Sequence, residues 1–171
     1  VRIGEDQVLI TPSGVSKGRL TPDMLVVCDL EGRVLAGHLH PSSESAMHLL
    51  VYRERPDVGA VVHAHPPAAT AFSICRRPLA QHYLTETISG LGEVPVAPFA
   101  LPGSQAVADS VAPYCQAYRA LLLEYHGAVT WGTSMEQAHY RLECLEQLAT
   151  VTLHLRTLGI HRTMPESLVK A

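Results

Sequence analysis

Short apolar runs broken by turn signals alternate along the chain with stretches of helical periodicity. Residues 7–11 are a β-rich run closed by Pro12-Ser13-Gly14. Residues 24–29 and 33–36 read as two more strands, with Leu30-Glu31-Gly32 suited to a hairpin between them. After Pro41, Met47, Leu50, Val51 and Tyr52 recur at helical spacing until Pro56. Residues 58–63 are a buried strand, 67–74 a helix with proline in its first turn, and 94–99 a proline-interrupted strand expected at a sheet edge. A helix is expected over 104–118, kinked or ended by Pro113. A second buried strand covers 120–124 and runs into Tyr125-His126-Gly127. One long helix spans 134–158, with Ala138, Leu142, Leu145, Ala149 and Leu153 on one face, and the residues beyond it read as a tail. Strands that come both in hairpins and separated by helices predict an α/β fold, a single layered domain with a mixed central sheet flanked by helices.

Composition narrows the function. The 171 residues are 47% hydrophobic and 17% charged, as in a globular domain. A net charge of −3 without a basic tract argues against nucleic acid or an anionic membrane as partner, and no apolar run is long enough to span a bilayer. Cys28, Cys75, Cys115 and Cys144 form no C-x-x-C pair and read as free thiols of a cytoplasmic protein.

Ten histidines are many for this length. His63 and His65, at i and i+2 of a strand end, point to the same face about 7 Å apart at Cα. Pro66-Pro67 then turns the chain away. His126 shares their context, a buried strand followed by His and Gly, and joins them if the two strands are neighbours. Three neutral imidazoles with an open fourth position form a catalytic zinc arrangement. A single histidine is more often a hydrogen-bonded core residue. His38 and His40 lie in a loop, and His139, His154 and His161 lie on or beyond the long helix. His48, one turn after Glu44, is placed to back a ligand.

The stretch HPSSESAMH is the second source of chemistry. A helix start offers free N–H groups to an anion, and Ser42 and Ser43 add hydroxyls. Ser13 and Gly14 add a hydroxyl and an approachable N–H. Glu44 beside an anion site needs a nearby cation. Next to a metal it would serve as a general base, whereas the plainer reading is an acidic helix cap.

PSSE, then HAHPP, then HG after a buried strand, with VLITPSG, HY, VPVAPFA and LLLEYHG in the same order, resembles the class II aldolase/adducin-head family over nearly the whole chain. The resemblance implies that His63, His65 and His126 bind Zn2+, with Mn2+ or Co2+ as alternatives. It implies that Ser13, Gly14, Ser42 and Ser43 hold a substrate phosphate, that Glu44 is the catalytic acid/base, and that Tyr83 protonates the aldehyde-derived oxygen across a subunit boundary. The activity implied is cleavage of a ketose 1-phosphate, of the L-fuculose or 5-deoxypentulose kind, to dihydroxyacetone phosphate and an aldehyde. That cleavage passes through a metal-stabilised enediolate in a cytoplasmic homotetramer with sites between subunits. No Schiff-base lysine is required, and none is expected near these motifs. The whole of 1–171 is then one catalytic domain, with the family's N-terminal helix and Gly-Asn turn expected before Val1. An aromatic residue expected near Leu101-Pro102-Gly103 and an aromatic C-terminal tail are absent. Methylthioribulose-1-phosphate dehydratase and pentulose-5-phosphate 4-epimerase are the alternatives within the family. A non-catalytic adducin-head-like assembly module is the alternative of another class.

Overall fold

The computed structural model describes residues 1–80 and 82–169. Seven strands are present among them: β1 (Gln7–Ile10), β2 (Val26–Asp29), β3 (Val34–Ala36), β4 (Ala60–Ala64), β5 (Val96–Ala97), β6 (Ala120–Leu123) and β7 (Gly127–Gly132). The helices are α1 (Ser45–Glu54), α2 (Pro67–Ile74), α3 (Thr85–Gly90), α4 (Gln105–Val111), α5 (Met135–Thr157) and α6 (Glu166–Val169). The strands divide into an antiparallel sheet, β1-β2-β3, and a four-stranded mixed sheet ordered β4-β7-β6-β5. β5 lies at the edge, parallel to β6, as its prolines predict. Pro113 ends α4 in a short 3-10 turn, Ala112–Tyr114.

The mixed sheet is covered on both faces, which is why β6 reads as an unbroken apolar ALLL. Its Leu121 and Leu123, with Val61, Val129 and Trp131, pack among α1 and α4 residues and the β1-β2 sheet. Ala120, Leu122 and Ala128 face α2 and α5 on the other side. Burying Met47, Leu49, Val51 and Tyr52 fastens α1 to the first face, at roughly 1.5–3 kcal/mol for each large side chain. The Tyr52 hydroxyl accepts a bond from the Val61 N–H at 3.1 Å, so α1 is also tied to the outer edge of β4.

Three expectations need correction. β4 and β6 are not neighbours: β7 lies between them, paired antiparallel with both. Neither β7 nor α3 was anticipated. The buried face of α5 carries Leu148 and Thr152 beside Ala138, Leu145 and Ala149, while Leu153 is exposed. Thr152 is tolerated inside because its hydroxyl donates to the Leu148 carbonyl at 2.6 Å. The tail beyond α5 contains the short α6, and its last two residues, 170 and 171, lie outside the described residues, as does residue 81.

Candidate metal and substrate site

The three histidines meet even though their strands are not adjacent. β6 and β7 form a tight hairpin with Leu123 opposite Gly127, and His126 sits in its turn, its N–H donating to the Leu123 carbonyl at 2.9 Å. β7 then pairs with β4, Ala64 opposite Ala128. The hairpin turn is thereby laid beside the end of β4 where His65 emerges. Gly127 is required by this approach. A Cβ there would stand 2.5 Å from the Ala64 carbonyl oxygen and 2.6 Å from His65 Cδ2.

The ring centroids of His63, His65 and His126 are 4.8–4.9 Å apart. Their ligating nitrogens all lie within 4.8 Å of one another, with Nε2 of His63 and His65 at 3.2 Å. Nitrogens each about 2.0–2.1 Å from a tetrahedral ion stand about 3.3–3.4 Å apart, which the His63–His65 pair matches, and the three together could hold one cation. His63 Nδ1 lies 2.9 Å from the Ala128 carbonyl oxygen, which can only accept. The ring proton is therefore on Nδ1, and the Nε2 lone pair is open to a metal. Burial, helped by His48 and the other two imidazoles, pulls His63 down to about 3. Burial also lowers His126, against an upward pull from Glu44. Burial pushes His48 down to about 4, so it too is neutral at pH 7. Neutral nitrogen donors are what a divalent ion needs.

Val61, on β4, packs into the core that holds α1. His63 and His65, in phase with it, share that side, where α1 begins. Glu44 occupies the cap position of α1 but makes no side-chain capping bond. Its carboxylate is buried, and Oε2 has no hydrogen-bond partner among the described residues. The side chain therefore does not cap the helix by a hydrogen bond. The Glu44 charge is instead felt by His126.

The loops of the expected phosphate cradle are brought together. Ser13 N–H donates to the His40 carbonyl and Ser42 N–H to the Thr11 carbonyl, both at 3.0 Å. Those two amides are thus spent on joining the loops, which leaves the side chains of Ser13, Ser42 and Ser43 and the Gly14 amide for an anion. Gly14 has φ +70° and open space where a Cβ would be. The Ser42 hydroxyl also accepts from the Glu44 N–H at 3.3 Å. Contrary to expectation, a lysine is close: Lys17 Nζ donates to the Pro12 carbonyl at 3.0 Å and to Thr11 Oγ1 at 3.3 Å. Tyr83 is not brought to the triad within this chain. It packs, half-buried, against the cluster of Ala68, Phe72 and Leu145.

Two carboxylates that support the site were not anticipated. Glu146 of α5 accepts from the Ala68 and Ala69 N–H groups at 3.0 and 2.8 Å, capping α2 just after His65-Pro66. Glu124 follows β6 and accepts from the Phe99 N–H at 2.8 Å. Both pairings join residues far apart in sequence, and no local pattern announces them.

Comparisons with known proteins bear on the family and the fold. The class II aldolase and adducin N-terminal domain family matches residues 1–153. The 5-methylthioribulose-1-phosphate/5-deoxyribulose-1-phosphate aldolase of Escherichia coli O45:K1 is 35% identical over 159 residues, 92% of this chain and 73% of that protein. The L-fuculose phosphate aldolase of Escherichia coli O6:H1 is 37% identical over 162 residues, 94% of this chain and 74% of that one. A solved L-fuculose 1-phosphate aldolase superposes with TM-score 0.88 at 32% identity, covering 96% of this chain and 77% of that structure. Class II aldolases depend on a metal, and this chain supplies three converging imidazoles able to hold one. With a matching family, a matching fold and a ligand set suited to that chemistry, the chain belongs to the class II aldolase/adducin N-terminal domain family and is a class II aldolase, a carbon–carbon lyase.

Proposed function

We propose that this enzyme cleaves a ketose 1-phosphate, of the L-fuculose 1-phosphate or 5-deoxypentulose 1-phosphate kind, to dihydroxyacetone phosphate and an aldehyde. His63, His65 and His126 would hold the metal, taken as Zn2+ with Mn2+ or Co2+ as alternatives. When bound, the cation supplies a Lewis acid for negative charge developing on substrate oxygens. Ser13, Gly14, Ser42 and Ser43 bind the phosphate and so fix the distance between C1 and the reacting carbons. As the C3–C4 bond breaks, the O4 proton leaves, C4 becomes the aldehyde carbon, and the electron pair passes into C2–C3. Glu44 returns a proton to C3, and in the condensation direction removes it. Tyr83, reaching the site of a neighbouring copy, exchanges the O4 proton. The assembly proposed is a homotetramer with sites between subunits, in the cytoplasm. No described helix is long and apolar enough to cross a membrane.

The observation that carries this reading is the Glu44 carboxylate, buried beside the triad with Oε2 unpartnered. A carboxylate left so is positioned for a proton that arrives with substrate. The same Glu44 and histidines would also serve a methylthioribulose-1-phosphate dehydratase, the second reading. The test is to incubate the zinc-loaded protein with a panel of ketose 1-phosphates and assay dihydroxyacetone phosphate with a coupled dehydrogenase. An aldolase releases it, and Glu44→Gln keeps its metal while losing at least about a hundredfold in turnover. Consumption of substrate without dihydroxyacetone phosphate would establish the dehydratase. Wild-type rates in Glu44→Gln would remove Glu44 from the chemistry.

A further inference from the structure

The 98–104 segment between β5 and α4 borders both ends of the site. Pro98 and Ala100 share the walls of one small cavity with Glu124 and the ligand His126. Further along, the chain turns tightly, Ser104 N–H donating to the Leu101 carbonyl at 3.1 Å and Ser104 Oγ to the same oxygen at 2.6 Å. That turn sets Gly103, at φ +77°, against Ser43: a Cβ on Gly103 would lie 3.4 Å from Ser43 Cβ. Burial alone does not hold this loop. Ala100 packs on the core, but Phe99 is 55% exposed and Leu101 68%. Besides an edge-on contact between the Phe99 and Tyr125 rings, what pins it is one carboxylate. Glu124 is 7% exposed, two residues before His126; Oε2 accepts from Phe99 N–H at 2.8 Å and Oε1 lies 3.1 Å from Arg76 Nε.

We propose that Glu124 is a positioning residue that clamps the 98–104 loop between His126 and Ser43 and thereby sets how tightly the phosphate end of the substrate is held. The inference rests on the reading of Ser43 as part of the phosphate cradle. A buried carboxylate is a costly way to fill space. Here both oxygens are used, one on a loop amide and one on a guanidinium that follows α2, the helix leading away from His65. One group thus joins three segments that meet around the site. Losing the tie to the Phe99 amide frees the loop and lets Ser43 drift, with no change in the imidazole donors.

The test uses zinc-loaded protein and four variants. Binding of inorganic phosphate is measured by calorimetry, bound zinc by elemental analysis, and amide exchange across 98–104 by mass spectrometry. KM and kcat follow with whichever ketose phosphate is cleaved. Glu124→Ala is expected to weaken phosphate binding and raise KM about tenfold, the scale of one hydrogen bond, and to speed exchange at 98–104, with zinc and kcat within about twofold. Glu124→Gln keeps an oxygen for the Phe99 amide and recovers most of the affinity. Phe99→Pro removes that amide while leaving Glu124 and Arg76 paired, and reproduces the defect even if Glu124→Ala does not fold. Phe99→Ala keeps the amide and does not. Unchanged phosphate affinity and exchange in Glu124→Ala and Phe99→Pro overturn the proposal. So does zinc loss in step with affinity, which would make Glu124 a prop for His126, and so does an equal defect in Glu124→Gln and Glu124→Ala. Phosphate binding and exchange require no turnover, so an error in the assigned reaction would appear separately, as absent cleavage beside an intact phosphate effect.

Discussion

Gly127→Ala puts the assembly of the triad to a direct test. The new methyl would enter 2.5 Å from the Ala64 oxygen and 2.6 Å from His65 Cδ2, where ordinary contact begins at 3.4 Å. Both neighbours would have to retreat by about 0.8–0.9 Å. The φ of Gly127 is not positive, so alanine suits the backbone and only space opposes it. Overpacking of this kind costs about 1–3 kcal/mol of stability. A ligand displaced by most of an ångström loses metal affinity on the scale of a lost supporting contact, about 10–100-fold. Zinc affinity is measured by competition with a chromophoric chelator, and stability by urea unfolding of the metal-free protein. Gly18→Ala is the control, because nothing lies within 4 Å of a Cβ there. Wild-type zinc affinity in folded Gly127→Ala would refute the reasoning. The strain would then be relieved elsewhere, and the glycine would not be what seats His65.

His65→Ala is expected to abolish stoichiometric zinc and turnover together; retention of both would end its assignment as a ligand. Tyr83→Phe is expected to lower kcat by at least about tenfold with little change in KM, and an unchanged kcat would remove it from the site. In the metal-free protein, stability should fall on acidification. His63 is depressed from 6.5 to about 3 in the folded state, so between those values the unfolded chain binds more protons. The contribution is fully present above pH 6.5 and is lost as pH falls toward 3. From pH 6.5 to 5 the loss is about 2 kcal/mol from this residue, readable as a shift in the urea midpoint. A flat profile would mean that the ring is solvated and not held neutral by burial.

The residue types of the site were legible because period-2 alternation is a local property: His63 and His65 share a face whatever surrounds them. Spacing alone left their meeting with His126 conditional, and only the resemblance supplied it, because it depends on β7. GAVTWG opens on the glycine that follows His126 and so reads as the end of one motif, although its Val129-Thr130-Trp131 run is good strand material. Without β7 the only route to convergence was to pair β4 with β6, which the sheet order contradicts. The face of α5 drifted for a related reason. A seven-residue step from Ala138 through Leu145 reaches Thr152, which is buried, and Leu153, one residue further round the helix, faces solvent. Glu124, Glu146 and Lys17 reach main-chain groups through the fold, and their roles exist only once those groups have been brought near.

The placement of Glu44 shows how the fold separates rigidity from chemistry. A buried carboxylate oxygen without a partner costs about 1–3 kcal/mol, and a helix cap could have been built without it. The cost is offset next door by Met47, Leu49, Val51 and Tyr52, by the Tyr52–Val61 bond, and by the joined loops at Ser13–His40 and Ser42–Thr11. These contacts fix the start of α1 so firmly that Glu44 can stay poised and unsatisfied. The imidazoles are held in the same way, by sheet register and by the Ala128 carbonyl. The 98–104 segment, by contrast, is a loop with mostly exposed side chains, tied to the sheet through Glu124. Substitutions there are expected to alter the loop while the sheet register keeps the three imidazoles together.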